Sequence, residues 1–254
     1  MARSQSAPQL ETRVYPSGRA VALYGVATAD LVGRRFTLDG QRVQAIRFGR
    51  VALLISYVEP DAFTPDVLDR RRHEDGAWMQ QQASRHERII ERASVHARVL
   101  PQPLLTVFPN PQSLARAARL QSSRWQRSLT RVGEAREYAL HVYAGPHAAP
   151  GGDPYLLRVS ARAVRSQRPL AAPVLPPAVA DHLAKLWKIA RDAAPAFRRI
   201  DVADAERAVL GGVMLLDEAQ LVRLREALAS LAPAARNLGL TYYLEGPRPP
   251  FSFA

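Results

Sequence analysis

The sequence of 254 residues contains no cysteine. Disulfide bonds, thiol nucleophiles and cysteine-ligated zinc or iron–sulfur sites are therefore excluded. Long apolar runs are absent too, since the longest, residues 208–216, has nine residues and includes two glycines. A helix that spans a bilayer needs about 18–20 such residues, so no stretch of the sequence predicts one.

The motifs of common catalytic and nucleotide-binding sites are also missing. The sequence has no Gly-x-Ser-x-Gly, which exposes a nucleophilic serine, and no glycine-rich phosphate loop. His86-Glu87 begins like a zinc-protease motif, but Ile90 stands where the second histidine ligand is required. We therefore predict no catalytic residue, no metal and no cofactor.

Lysine is scarce, and almost all of the basic residues are arginine, which gives a formal net charge of +12. Such a surface suits nucleic acid, an anionic membrane or an acidic protein. The arginines are scattered, apart from Arg70–Arg72, and aromatic residues are not interleaved with them. The pattern therefore favours a solvated arginine-rich surface over a nucleic-acid site, and genomic base composition produces the same bias.

The N-terminal residues 1–18 are polar and aperiodic, and they predict a flexible tail. Residues 20–28 are apolar and predict the first β-strand. An export signal is the alternative, because Arg13 and Arg19 precede the apolar stretch and Ala27–Ala29 is like a cleavage site. The brevity of the stretch and an acidic residue before it favour the strand.

The remainder of the first half predicts an α+β domain over residues 19–132 that contains a long helix. The expected elements are a hairpin of 42–48 and 51–58, a helix over 66–98 weakened by Gly76, a buried strand at 104–108, and a helix from Asn110-Pro111 to Gly133.

The second half, residues 133–254, shows the element order β-α-β-β-α-β. Strands are predicted at 137–143, 197–202, 208–216 and 238–244, with helices at 181–194 and from the capping residue Asp217 to Pro233, and a further short helix at 155–165. This is the order of a ferredoxin-like domain, with two helices on one face of an antiparallel sheet. The predicted fold class is therefore α+β with two domains, the second a modified ferredoxin-like domain.

The chain ends in an unusual sequence, Gly246-Pro247-Arg248-Pro249-Pro250-Phe251-Ser252-Phe253. Three prolines fix an extended backbone, and the two phenylalanines alternate so that both face one side. We expect residues 246–254 to dock, either on the N-terminal half of the chain or on a partner.

This ending resembles the G-P-W-P-P-Y-S-F ending of the gas vesicle GvpF/GvpL family. Further resemblances follow in the family's order along nearly the whole chain, through Leu23–Val26, Gly49–Val58, His86–Ile90, Val99–Pro101, Thr106–Phe108, Gly133–Glu137 and Gly152–Leu156. The resemblance implies a structural or partner-binding role for these motif positions: Tyr24, Gly25, His86, Glu87, Leu100, Pro101, Thr106, Phe108, Tyr155, Gly246, Pro247, Pro249, Pro250, Phe251, Ser252 and Phe253.

The sequence departs from the family pattern at three places. Residues 102–105 replace the R-F-G that precedes T-V-F, Arg248 replaces the terminal tryptophan, and Phe251 replaces the tyrosine. These departures are typical of a divergent paralogue or of one whose partner has changed.

The resemblance implies a non-enzymatic gas vesicle protein that works in the cytoplasm, either in the shell or as an assembly helper. Its expected partners are the small hydrophobic shell subunit (GvpA type) and other accessory proteins. The alternative is a basic nucleic-acid-binding module on the ferredoxin-like half, which has the topology of an RNA recognition motif. That function requires aromatic residues on the first and third strands; Tyr138 or Tyr143 serves on the first, but residues 208–216 contain none.

Overall fold

The structure, a computed structural model, describes residues 18–144, 175–194, 196–200 and 208–253. Nearly all of the predicted tail and the whole predicted helix at 155–165, including Tyr155, lie outside these residues. The backbone contacts divide the chain into two compact units. The first comprises the residues up to Gly133 together with Pro249–Ala254, and the second comprises Glu134–Arg248.

The first unit is built on an antiparallel sheet of six strands. These are β1 (Ala20–Thr28), β2 (Arg35–Leu38), β3 (Gln41–Phe48), β4 (Val51–Val58), β5 (Val99–Pro101) and β6 (Val107–Phe108). Their order is β2-β3-β4-β1-β5, and β6 also pairs with β1. Helices α1 (Pro65–Glu74), α2 (Gly76–Ser94) and α3 (Pro111–Val132) belong to the same unit. The central strands β1 and β4 are almost continuously apolar and buried, which is typical of a sheet covered on both faces.

Two expectations for the first unit are wrong in detail. The single helix predicted over 66–98 is two helices, because Asp75 leaves the helical conformation with φ −125° and ψ 72°. Its carboxylate then accepts the Trp78 N–H at 2.9 Å and starts α2. The strand predicted at 104–108 is reduced to β6, because Leu105 has a φ of +61°, which no regular strand accommodates.

The second unit contains a four-stranded antiparallel sheet and two helices. Its elements are β7 (Arg136–Ala144), α4 (Pro177–Ala193), β8 (Ala196–Ile200), β9 (Ala208–Leu216), α5 (Glu218–Asn237) and β10 (Leu240–Arg248), and the sheet order is β10-β7-β9-β8. Leu140 and Val142 of β7 pack against Leu186 of α4 and Leu224 of α5. The described residues thus form five helices and two antiparallel sheets, which confirms the α+β class.

Helix α5 begins as predicted and ends later than predicted. Asp217 and Gln220 form a reciprocal capping box, each side chain accepting the other's backbone N–H at 2.8 Å. The expected end at Pro233 is wrong, since the helix continues to Asn237. Proline removes a single hydrogen bond there, and the following turn is retained because Ala235 is buried in the core.

Candidate partner-binding surfaces

A bulge in β1 places the first aromatic residue of the motif set. Leu23 pairs with Ile55 and Gly25 with Leu54, so Tyr24 is an extra residue without a partner in β4. Gly25 is required beside it, because a Cβ there would lie 2.8 Å from Val99 Cγ1 and 3.1 Å from the Leu100 carbonyl oxygen. A side chain at this position would therefore push β5 away from β1.

The Tyr24 hydroxyl is enclosed within the first unit. Burial raises its pKa, while a hydrogen bond with the Ser56 side chain acts in the opposite direction. Ser56 is itself fully buried and donates to the Arg42 carbonyl at 2.7 Å. The tyrosine is therefore protonated at neutral pH and links β1 to Ser56 of β4.

His86 lies on α2 between Tyr24 and the C-terminal tail. Its ring centroid is 5.8 Å from that of Tyr24 and 6.4 Å from that of Phe251. Burial lowers the pKa of His86 from 6.5 to about 4, against the opposing effect of a hydrogen bond with the Gln102 backbone. The ring is therefore neutral at physiological pH and joins the three elements by packing. Glu87, its neighbour in the motif, is also buried.

Of the C-terminal segment that was expected to dock, residues 249–253 pack in the first unit, whereas residues 246–248 continue β10 in the second unit. Pro249 and Pro250 are buried and Phe253 is 5% exposed. Phe251 packs against the core cluster that contains Ile89 and Leu54. The segment thus has contacts within its own chain, which bury Phe253 and half-bury Phe251.

The loop between β5 and β6 carries the first departure from the family pattern. Both flanking strands pair with β1. Two backbone hydrogen bonds also join the loop to the bulge: the Gln102 N–H donates to the Tyr24 carbonyl at 2.8 Å, and the Leu23 N–H donates to the Thr106 carbonyl at 2.9 Å. The Thr106 hydroxyl donates to the Pro103 carbonyl at 2.7 Å. Leu105 occupies the left-handed region just before Thr106, where the family pattern has glycine. Residues with a Cβ atom, such as leucine, are disfavoured in this conformation by roughly 1–2 kcal/mol.

Two more motif residues, Leu100 and Pro101, lie in β5, and Phe108 lies in β6. Leu100 pairs with Val26 and Pro101 with Gly25 across the edge of β1, and both are buried. Phe108 pairs with Val21 and is half-buried. These residues hold the strands that flank the loop.

The second departure, Arg248, has its positive charge neutralised within the second unit. Its guanidinium forms an ion pair with Glu245, and both side chains are nearly buried. His141 Nε2 lies 3.9 Å from the other carboxylate oxygen of Glu245. Gly246, just before Pro247, has a φ of +138°, and a Cβ there would lie 2.6 Å from Tyr138 Cδ1, so only glycine fits. The sequence motif did not single out Glu245, whose spacing of three residues from Arg248 was the available signal.

One sheet edge of the first unit is open, and the strand that forms it was not expected from the sequence. The register pairs Phe36 of β2 with Val43 of β3, and the Arg34 carbonyl accepts the Ala45 N–H at 3.0 Å. Hydrogen bonding alternates along an antiparallel strand, so the N–H and C=O groups of Arg35 and Thr37 point away from β3. Among the described residues no strand pairs with this edge.

Other kinds of site have little support in the described part of the chain. No group of three or more histidine or acidic side chains there is placed to hold a metal ion. None of the described helices has the length and apolar character to cross a bilayer. On the second sheet, Tyr138 belongs to the core beneath the helices, and β9 contains no aromatic residue on which a base could stack.

Comparison with known proteins places these features in a family. The sequence model of gas vesicle synthesis protein GvpL/GvpF matches residues 20–254. The fold is similar to the crystal structure of the gas vesicle protein GvpF from Anabaena sp. PCC7120, with a TM-score of 0.61 and 13% identity over 93% of this chain and 98% of that one. It is also similar to GvpF from Microcystis aeruginosa, with a TM-score of 0.57 and 11% identity over 92% and 98% of the two chains. No curated protein sequence matches significantly. Because the family model covers nearly the whole sequence, the chain belongs to the GvpL/GvpF family of gas vesicle synthesis proteins.

Proposed function

We propose that this chain is a non-enzymatic gas vesicle protein that binds the small hydrophobic shell subunit (GvpA type) in the cytoplasm, together with other accessory proteins. The observation that carries the proposal is the family match over residues 20–254. In this proposal residues 19–132 and 133–254 are two domains. The second is a modified ferredoxin-like domain, as the order β10-β7-β9-β8 supports.

The need for such a protein follows from the properties of the shell subunit. A subunit with an apolar surface aggregates before assembly unless a partner covers that surface. The described surface of this chain has no broad apolar face that could pack against the subunit. Its large exposed apolar side chains are Val95, Leu120 and Val222, which lie on three different parts of the chain. Binding through backbone hydrogen bonds at a strand edge is the mode that suits it better.

The edge of β2 has the features that strand addition needs. The backbone groups of Arg35 and Thr37 point outward, and both side chains are exposed. Phe36 and Leu38 alternate with them and pack against the core cluster of the first unit. Arg34, also exposed, extends the charged rim. We therefore assign the shell-subunit contact to this edge.

We assign a structural role to the described family-motif residues. The rings of Tyr24, His86 and Phe251 lie in a row at tilted angles to one another, and Gly25 and Gly246 permit close approach of other atoms. In this assignment they hold the bulge, the loop and the tail in place, and the binding edge lies elsewhere in the first unit.

The test is co-purification of the tagged chain with a GvpA-type subunit. Thr37→Pro removes an outward N–H without breaking the ladder to β3, and Thr37→Val is the matched control. We expect the proline variant to bind about fivefold more weakly, since the one edge hydrogen bond that it loses contributes about 1 kcal/mol, and the valine variant to bind like the wild type. Equal binding by both variants would contradict the edge assignment. Failure of the wild type to bind under assembly conditions would contradict the function itself.

A further inference from the structure

Helix α3 carries five arginines and no acidic residue over its 22 residues. The arginines are Arg116, Arg119, Arg124, Arg127 and Arg131. All five are exposed, and none of them forms an ion pair with a described residue, whereas Arg19, Arg72 and Arg88 elsewhere in the first unit each have an acidic partner. The charge of α3 is therefore uncompensated within the described part of the chain.

The five arginines lie on one face of the helix. At 100° per residue they are opposite the side that buries Leu114, Ala118, Trp125 and Leu129. The face extends over about 22 Å from Arg116 to Arg131, at about 1.5 Å per residue. Leu120 lies near the middle of this face around the helix axis, about 6 Å along the axis from Arg116, and is 83% exposed. The face is thus a basic surface with one apolar side chain among its arginines.

The arrangement is unfavourable for the isolated helix. Arg124 and Arg127 are three residues apart, and Arg127 and Arg131 are four apart, spacings at which like charges destabilise a helix. The helix is retained because its other side is buried and because Asn110 caps it, its side chain accepting the Ser113 N–H at 2.8 Å. A bound acidic surface would remove this repulsion.

We propose that the arginine face of α3 binds an acidic amphipathic helix of a protein partner. Carboxylates are matched by guanidinium groups, which bind them through paired hydrogen bonds. An apolar residue of the partner would cover Leu120, and a shallow depression of about 480 Å³ along Ser123, Gln126 and Thr130 leaves room for its side chains.

The composition of the face disfavours the other anionic partners. Single-stranded nucleic acid is bound through aromatic side chains on which bases stack, and the one aromatic residue of α3, Trp125, is buried. Insertion into a lipid surface requires a whole apolar helix face, and α3 exposes a single large apolar residue. The contact is independent of the β2 edge, and so of the proposed binding of the shell subunit.

The experiment measures the binding of a fluorescein-labelled acidic peptide, built from Glu-Ala-Leu-Glu-Ala-Ala-Leu heptads, by fluorescence anisotropy. One variant of the full chain combines Arg116→Gln, Arg124→Gln and Arg127→Gln. Its charge-matched control combines Arg50→Gln, Arg70→Gln and Arg223→Gln, which are exposed arginines on other parts of the chain. Circular dichroism checks that both variants fold.

We expect the α3 variant to bind the peptide at least about tenfold more weakly and the control within about twofold of the wild type. Leu120→Gln should also weaken binding, although it leaves the charge unchanged. Equal losses in the two triple variants would show that net charge alone acts and would overturn the proposal. Absence of wild-type binding, or tighter binding of poly(U) RNA or phosphatidylserine vesicles with the same dependence on α3, would overturn it as well.

Discussion

Acidification tests the role of His86 as a neutral, buried link between β1, α2 and the tail. The pKa of this histidine is lowered from 6.5 to about 4 by burial. Between these two values the unfolded chain holds a proton at this residue and the folded chain does not. The free energy of unfolding therefore falls as the pH falls from 6.5 to 4, by about 1.4 kcal/mol per pH unit, and the total loss is about 3 kcal/mol.

The assay is urea unfolding of the wild type and of His86→Gln at several pH values between 7.5 and 4. We expect the wild type to lose about 3 kcal/mol more than the variant over this range, because other titrating groups contribute equally to both. His96→Gln is the matched control, since His96 is exposed, and it should follow the wild type. Parallel stability curves for wild type and His86→Gln, or a His86 resonance that titrates near pH 6.5 in NMR, would refute this role.

Four further substitutions test the packing of the first unit, three of them by urea unfolding and one by NMR. Gly25→Ala should destabilise the first unit by about 1–3 kcal/mol because its Cβ would meet β5. Gly76→Ala, at the first residue of α2 with open space around it, should stabilise the unit by about 0.4–1 kcal/mol because alanine lowers the entropy of the unfolded chain. A loss of stability at both positions would contradict this. Asn110→Ala should cost about 1 kcal/mol through the lost cap of α3, and no change would show that the cap is dispensable. Phe251→Ala should raise the pKa of His86 toward 6.5 in NMR, because removing the ring admits water, and an unchanged value would mean that the tail does not shield His86.

The elements that the sequence predicted well are those decided by neighbouring residues. The hairpin of β3 and β4 follows from an alternating run before Gly49-Arg50 and an apolar run after it. The starts of α3 and α5 follow from Asn110 and Asp217, whose side chains cap the next turn. Each of these signals acts within a few residues. The family-motif residues are likewise recognisable from short stretches of sequence, which occur in the family's order along the chain.

The features that the sequence did not predict depend on residues far apart in the chain. Strand β2 is the exception, because its link to β3 is the two-residue turn Asp39-Gly40, in which both residues have a positive φ, and Asp-Gly is a local signal of a β-hairpin. The bulge at Tyr24 is visible only once β1 is paired with β4. Likewise, no local pattern places Phe251 beside His86, because that contact requires the tail to return to the first unit.

The most direct test of the proposed function is the fate of the shell subunit itself. A GvpA-type subunit is co-expressed with this chain, with its Thr37→Pro variant, or alone, and each lysate is separated by high-speed sedimentation and then by size exclusion. We predict that the wild-type chain keeps the subunit in the supernatant as a complex that elutes with it, and that the proline variant does so much less. A subunit that sediments equally in all three cultures, with no complex in any, would contradict the account.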